Sequence, residues 1–193
     1  ATVILLVALL AGPARASPSL ISPARLLVIA PHPDDETLAA GGLIYSASKQ
    51  GAKVKVVFIT MGDGYHLAAS ALRDIACPSP DDFLALGNHR RKEGIAALAA
   101  LGVSDRDVVF LGYPDRGLAN IIDNWHWSPD EPYTSAHTGR SSNPYPSTFT
   151  PGAQYCVSQI VSDLVGILND YMPDMVILPH PNDTHDDHHA TYA

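Results

Sequence analysis

The sequence predicts an α/β fold in which helices cover both faces of an open, mostly parallel sheet. Short, continuous apolar runs of the kind that form buried parallel strands alternate with segments of helical period. The order strand, helix, strand implies right-handed parallel crossovers. The chain has 193 residues, 46% of them hydrophobic and 17% charged, which suits one globular domain with a substantial core.

The first three predicted elements are a strand, a helix and a second strand. Residues 26–30 (LLVIA) are apolar throughout and end at a proline, as expected of a buried parallel strand. Residues 37–50 have helical spacing, and residues 54–60 (VKVVFIT) form the next strand. Gly41 and Gly42 weaken the helix, so we expect close packing against the sheet at this point.

The rest of the chain continues this alternation around one long irregular segment. Residues 112–152 are rich in Pro, Ser and Asn, and a loop of this length is usually either functional or poorly ordered. The sequence contains no internal repeat and no interdomain linker. The remaining predicted elements are helices at residues 67–76, 88–101 and 157–171, and strands at residues 108–111 and 175–178.

The N-terminal segment has the features of a secretory signal peptide. Residues 1–11 form a short apolar run, and Ala14-Arg15-Ala16 matches the small-residue pattern of a cleavage site. We therefore interpret residues 1–16 as a partial signal peptide and residues 24–193 as the functional domain, which we expect to be truncated at its C-terminus. The protein is then secreted or otherwise exported, and an uncleaved N-terminal membrane anchor is the alternative.

The charge pattern argues against a nucleic-acid-binding function. The net charge is −8, from 12 Lys and Arg against 20 Asp and Glu, and there is no basic stripe of the kind that contacts phosphates. The two cysteines, Cys77 and Cys156, fit either a single disulfide in an exported protein or two free thiols. Their spacing does not indicate a metal site.

A first polar cluster directly follows the first predicted strand. It contains His32, Asp34, Asp35 and Glu36, and ligands of parallel α/β sheets bind beyond the carboxyl ends of strands. A solvated turn in which Asp35 or Thr37 caps the next helix is the simplest structural explanation. The histidine three residues before Asp35 favours a metal site instead, because imidazole and carboxylate are both good zinc ligands.

A second polar cluster follows the last predicted strand. Residues 180–189 (HPNDTHDDHH) contain four of the nine histidines of the chain, and His185 and His188 are close enough in sequence to bind one centre. Two acidic, histidine-rich loops at the same edge of a sheet are difficult to explain without a metal ion. A closed structural zinc site is disfavoured, because such sites favour Cys ligands.

These motifs together resemble those of the LmbE/PIG-L family of zinc-dependent N-acetylglucosaminyl deacetylases. The resemblance rests on APHPDDE at residues 30–36, on Arg90-x-x-Glu93 within a predicted helix, and on HDDH at residues 185–188. It extends from about residue 26 to the end of the chain. It implies a Rossmann-like sheet and hydrolysis of the acetamide of an N-acetylglucosamine-type sugar or a related amide.

The resemblance implies a metal site and a general base at the first and the last of these motifs. One zinc ion per chain is bound by His32, Asp35 and His188, and Asp34 accepts a proton from the metal-activated water. Iron and cobalt also suit a site of two histidines and one carboxylate.

The resemblance also assigns roles around this centre. His185 assists at the tetrahedral intermediate and is oriented by Asp187. Arg90 and Asp115 fall where the family binds substrate, although an exposed helix charge explains Arg90 equally well. The late motif departs from the family at Asp186, where a proline is usual, and no chemistry is assigned to that position.

We therefore expect a metal-dependent N-deacetylase that acts on an N-acetylated sugar, glycolipid or glycoconjugate. A non-catalytic carbohydrate-binding relative is one alternative, although binding alone does not require the general base Asp34. Another metallohydrolase, such as a phosphoesterase, is a second alternative, but two-metal phosphoesterases usually need more ligands. In the long irregular segment, Trp125 and Trp127 suit either stacking on a sugar ring or internal packing.

Overall fold

The computed structural model of the protein describes residues 5–9, as a strand, and residues 24–193. Across these residues the secondary structure alternates as the sequence predicts. The strands are β1 (Leu5–Leu9), β2 (Arg25–Ala30), β3 (Lys53–Thr60), β4 (Val108–Tyr113) and β5 (Met175–Pro179). The helices are α1 (Asp35–Lys49), α2 (His66–Arg73), α3 (Pro80–Ala100), α4 (Leu118–Asp123), α5 (Val157–Tyr171) and α6 (Asp186–Tyr192).

The strands form one sheet in the order β1-β5-β2-β3-β4. The pairs β5-β2, β2-β3 and β3-β4 are parallel, and β1 pairs antiparallel with β5 at the edge. The predicted fold class, an α/β fold with a mostly parallel sheet, is confirmed.

The core lies in two layers because side chains of the strands alternate between the faces of the sheet. Leu26, Val28 and Phe58 belong to the face covered by α1 and α3, while Leu27 and Val57 belong to the face covered by α4, α5 and α6. Both faces are therefore buried, which explains why the strands appear in the sequence as continuous apolar runs.

The strand order places the two polar motifs side by side. The chain runs from β2 through β3 to β4 in one direction and then returns to β5 on the other side of β2. The carboxyl ends of β2 and β5 therefore adjoin at the point where the strand order reverses, which is where open α/β sheets bind ligands. The first motif follows β2 and the second follows β5.

Helix α3 begins eight residues earlier than the spacing of apolar residues predicts. Its start has a capping box, in which the Asp82 carboxylate accepts a hydrogen bond from the Ser79 backbone N–H at 2.9 Å, and Pro80 occupies the first turn. Gly87 lies within the extension, where a Cβ atom would clash with the Tyr145 hydroxyl. Close packing does not explain Gly42 of α1, which has open space around it.

The long segment at residues 112–152 is ordered by buried polar side chains. The Asn143 amide donates to the Leu111 carbonyl at 2.8 Å and to the Thr150 carbonyl at 3.0 Å, and Tyr145 is 2% exposed. Helix α4 also lies within this segment. The segment packs onto the sheet as part of the fold.

Three further predictions concern the N-terminus and the cysteines. Residues 1–4 and 10–16 of the predicted signal peptide lie outside the described residues, and the signal peptide stays a prediction. Among the described residues, no helix is both long and apolar enough to span a membrane. Cys77 is exposed and Cys156 is buried, and both are free thiols.

Asp163 of α5 connects this helix to β4 and to the long segment. Its buried carboxylate accepts hydrogen bonds from the Tyr113 hydroxyl at 2.7 Å, the Thr150 hydroxyl at 2.8 Å and the Gln159 amide at 3.0 Å. Burial and the neighbouring carboxylate raise the pKa of Tyr113, so the hydroxyl stays a donor.

We expect Asp163→Ala to lower the free energy of unfolding by about 2–4 kcal/mol, because it leaves the buried Tyr113 hydroxyl without its acceptor. Asp170→Ala, an exposed acidic position of the same helix, serves as the control and should cost at most about 0.5 kcal/mol. Chemical denaturation measures both values. Equal stabilities of the two variants would show that the network contributes nothing.

Candidate metal centre

The first motif forms a tight turn between β2 and α1. The Asp35 backbone N–H donates to the His32 carbonyl at 3.3 Å, and the Asp35 carboxylate accepts from the His32 backbone N–H at 3.0 Å. These two hydrogen bonds close the turn and bring the side chains of His32 and Asp35 toward each other. His32 is buried and Asp35 is partly buried at the carboxyl end of β2.

The second motif begins helix α6. His185 is the N-cap, and Asp187 and His188 lie buried in the first turn. Because the N–H groups of a first turn have no partners within the helix, the Asp187 backbone N–H is free to donate to His185 Nδ1, at 3.2 Å. The turn thereby aims His188 at the end of β2.

The two motifs converge on one carboxylate oxygen. Asp35 Oδ2 lies 3.2 Å from His32 Nδ1 and 3.2 Å from His188 Nε2, and the two imidazole rings are 5.3 Å apart between centroids. The structure therefore brings together the three residues that the sequence assigns to a metal, although 153 residues of chain separate Asp35 from His188.

Carboxylates also hold the opposite ring nitrogens of both histidines. His32 Nε2 lies 3.0 Å from the Asp187 carboxylate and 3.1 Å from the Asp115 carboxylate, and His188 Nδ1 lies 3.0 Å from the Asp183 carboxylate. A carboxylate on one nitrogen of an imidazole favours a lone pair on the other. His32 Nδ1 and His188 Nε2 both face Asp35, so a metal that binds all three residues would take these two nitrogens.

The contacts of Asp187 differ from those expected from its motif. Its carboxylate contacts His32 and accepts from the backbone N–H of Arg116 at 2.6 Å and of Leu118 at 3.0 Å. It reaches His185 through its backbone N–H instead. The start of α6 explains the difference, since the helix directs the side chain of Asp187 into the core.

The ionisable groups of the site strongly shift one another's pKa values. Burial would raise the pKa of Asp35, but hydrogen bonds from His188 and His32 hold it well below its usual range. Burial would lower the pKa of His32, but the carboxylates of Asp115, Asp187 and Asp35 raise it well above its usual value. Burial would likewise lower the pKa of His188, but the carboxylates of Asp35 and Asp183 raise it above its usual value. The carboxylates make the site strongly favourable for positive charge.

The donor set fits a divalent metal ion. His32, His185 and His188 present ligand atoms that all lie within 4.8 Å of one another, and so do His32, Asp115 and Asp187. Asp35 is in neither group, but its Oδ2 lies 3.2 Å from one ring nitrogen of His32 and of His188. Nitrogen and oxygen donors without Cys are typical of catalytic zinc sites, which keep a position open for water. Both groups share His32, so the described residues offer overlapping ligand sets around one histidine.

Asp34 lies at the mouth of the site in a strained conformation. Its φ of 145° is rare for a residue with a side chain, and such strain is found at functional positions. Partial burial raises the pKa of its carboxyl group, whereas the Arg90 guanidinium, 2.8 Å from Oδ2, lowers it. Arg90 also donates to the carbonyls of Gly62 at 3.1 Å and Pro33 at 2.5 Å, so it holds the turn that carries Asp34.

Comparison with known proteins identifies the family of this chain. A family model described as GlcNAc-PI de-N-acetylase (PIG-L) matches residues 27–193, which includes both polar motifs. The chain belongs to the PIG-L family. The predicted family is therefore confirmed.

Two curated relatives in the PIG-L family share the same name. The chain is 33% identical over 159 residues to a 1D-myo-inositol 2-acetamido-2-deoxy-alpha-D-glucopyranoside deacetylase of Actinosynnema mirum, covering 82% of the chain and 48% of the relative. It is 32% identical over 157 residues to the protein of the same name from Saccharomonospora viridis, covering 81% and 50%. The chain thus spans about half the length of these relatives.

A solved structure supports the fold. The crystal structure of a deacetylase–bog complex in the biosynthesis pathway of teicoplanin is 25% identical, with a TM-score of 0.52. The match covers 87% of this chain and 59% of the other. The sheet and its helices are therefore shared with a deacetylase.

The PIG-L site opens into a cleft of about 720 Å³, a size that suits a small-molecule substrate. Asp34, Asp35, His185 and Asp115 line it together with the exposed Tyr65. The other residues that line the cleft are His32, Leu38, Arg90, Arg116, Asn182, Asp183, Thr184 and His188. Trp125 and Trp127 lie outside this set and contact each other, with ring centroids 5.9 Å apart.

Asp63 is a buried acid that the sequence does not reveal beyond its position after β3. Its carboxylate accepts from the Tyr145 hydroxyl at 2.6 Å and lies 3.4 Å from the backbone nitrogen of Asp115. Burial raises the pKa of Asp63 to about 7, whereas an aspartate of the unfolded chain titrates near about 4. The folded protein thus keeps a proton that the unfolded chain releases. The contribution of Asp63 to the free energy of unfolding therefore falls as the pH rises from about 4 to about 7.

Asp63→Asn removes this titration and preserves the shape of the side chain. We expect the free energy of unfolding of the wild type, minus that of the variant, to fall by roughly 1–3 kcal/mol between about pH 5 and about pH 7.5. Chemical denaturation at both pH values measures the difference, and titrations of other groups cancel. A difference independent of pH would contradict the raised pKa.

Proposed function

We propose that this protein is a zinc-dependent N-deacetylase that hydrolyses the acetamide of an N-acetylglucosamine-type sugar. The observation that carries this proposal is the convergence of His32 Nδ1 and His188 Nε2 on Asp35 Oδ2, both at 3.2 Å. Membership of the PIG-L family and the deacetylase activity named for the curated relatives support the same reaction.

His32, Asp35 and His188 would hold the metal ion. When bound, zinc supplies Lewis acidity toward the acetyl carbonyl and a pKa of roughly 7 for a water molecule at its open position. A site with three protein ligands leaves that position free. The flanking carboxylates of Asp115 and Asp187 contact His32 Nε2, fix that ring and compensate the charge of the cation.

Asp34 is the general base of the proposed reaction. It lines the same cleft as the three ligands and accepts a proton from the attacking water as the C–O bond forms. Arg90 contacts Asp34 Oδ2 at 2.8 Å and fixes the carboxylate in position. We assign Arg90 the role of positioning Asp34, in addition to lining the cleft near the substrate.

His185 stabilises negative charge on the carbonyl oxygen by donating a hydrogen bond. Its Nδ1 accepts from the Asp187 backbone N–H, so the proton of the neutral ring is on Nε2. Burial lowers the pKa of His185, which favours this neutral form. A neutral imidazole is a poor source of a further proton, so Asp34 returns its proton to the departing amine as the C–N bond breaks.

Two observations bear on the alternatives. A phosphoesterase with two metal ions usually needs more carboxylate and histidine ligands than His32, Asp35 and His188. A carbohydrate-binding relative does not need a strained carboxylate beside the ligands, as Asp34 is. Both observations favour hydrolysis at a single metal ion.

We expect Asp34→Asn to retain one zinc ion per chain and to lower kcat by at least roughly 100-fold, because the water loses its proton acceptor. His188→Ala should lose zinc as well as turnover, because it removes a ligand. Acetate release from a panel of N-acetylated amino sugars, together with metal analysis of each variant, measures both effects. Asp186→Asn is the control, since Asp186 is exposed and has no assigned chemistry. Normal turnover by Asp34→Asn would refute the assignment of the base.

We also propose that the protein is exported, on the apolar N-terminal run and the Ala14-Arg15-Ala16 pattern that follows it. Cleavage after Ala16 would remove β1, leave β5 at the edge of the sheet, and produce a mature protein that begins at Ser17. N-terminal sequencing of the protein from its native source tests this proposal, and an intact N-terminal run would indicate a membrane anchor instead.

A further inference from the structure

Asp183 belongs to the second polar cluster, residues 180–189, and neither the family resemblance nor the proposed reaction assigns it a role. It lies between β5 and α6 with a side chain that is 12% exposed. Its Oδ2 lies 3.0 Å from His188 Nδ1, and its Oδ1 accepts a hydrogen bond from the His185 backbone N–H at 3.0 Å. One carboxylate thus contacts both His185 and His188.

The contact with His188 favours one tautomer of its ring. Carboxylates face both ring nitrogens, but Nε2 is the nitrogen on the side of the other two proposed ligands. Because the Asp183 carboxylate only accepts hydrogen bonds, a neutral His188 that binds a metal through Nε2 would carry its proton on Nδ1, where Asp183 accepts it. His188 Nε2 is the nitrogen that faces Asp35, at 3.2 Å. Asp183 therefore favours the tautomer that places a lone pair where the metal would bind.

The contact with His185 holds the backbone at the start of α6. The backbone of His185 is the N-cap of α6, and its N–H is held by Asp183 Oδ1. The same residue contributes Nδ1 to the Asp187 backbone N–H. Loss of the Asp183 carboxylate would release the His188 ring and the entry to the helix together.

We propose that Asp183 is a positioning residue of the metal centre, which fixes the ring and tautomer of His188 for metal binding. Asp183 acts on His188 as Asp187 acts on His32, at the ring nitrogen opposite to Asp35. This proposal rests on the proposed function, because it requires a metal at His32, Asp35 and His188.

Asp186 provides the matched control. It belongs to the same polar cluster and carries the same charge, but it is exposed in the first turn of α6. Removing either carboxylate changes the net charge near the site equally. Only the Asp183 variants remove the acceptor from His188 Nδ1.

The experiment compares zinc affinity, by chelator competition, for the wild type, Asp183→Ala, Asp183→Asn and Asp186→Asn. We expect Asp183→Ala to weaken zinc binding by roughly 10- to 100-fold and Asp183→Asn to weaken it less, because an amide oxygen still accepts a hydrogen bond. Asp186→Asn should stay within about two-fold of the wild type. The visible spectrum of the cobalt-loaded Asp183→Ala protein should also change, which a mere loss of stability would not produce.

The outcomes separate the two proposals. Absence of zinc binding by the wild type would refute the proposed function. Normal zinc affinity of both Asp183 variants, or an equal loss in Asp186→Asn, would overturn the role of Asp183 and leave the proposed function intact. If the Asp183 variants do not fold, nitrogen-15 NMR of the zinc-loaded wild type decides: a proton on His188 Nδ1 supports the proposal, and a proton on Nε2 overturns it.

Discussion

The contact of Asp35 with the two imidazoles is the constraint on which the site depends. Asp35 Oδ2 joins His32, which follows β2, to His188, which follows β5. These strands are neighbours because the chain reverses its order in the sheet between them. The buried apolar faces of the sheet hold the strands in register, so the energy that stabilises the core also fixes the distance between the ligands.

Buried carboxylates surround His32 and make the site selective for a cation. Asp187 is fully buried and Asp115 is nearly so, and both contact His32 Nε2. Buried carboxylates are costly unless positive charge or hydrogen bonds compensate them. The second motif therefore does more than supply a ligand, since its carboxylates orient the rings and favour a metal ion. Asp34, whose backbone conformation is strained, adds a further carboxylate that lines the same cleft.

The sequence predicts the parts of this arrangement that depend on local pattern. Continuous apolar runs predict the parallel strands, and the positions of the two motifs after strands predict a shared edge. The sequence also contains a signal for the start of α3, at Ser79 and Asp82, which apolar spacing alone does not detect. The contact between the Asp187 carboxylate and His32 cannot be predicted from the local sequence. It depends on the residue at which α6 begins and on the direction that its first turn faces. The Asp63–Tyr145 pair joins residues 82 apart, a separation that only the folded chain brings into contact.

A crystal structure of the zinc-loaded protein, with anomalous diffraction measured at the zinc absorption edge, tests the central claim most directly. We expect one strong peak within bonding distance of His32 Nδ1, an Asp35 oxygen and His188 Nε2. A peak on His32 Nε2 between Asp115 and Asp187, or a peak remote from both motifs, would contradict it.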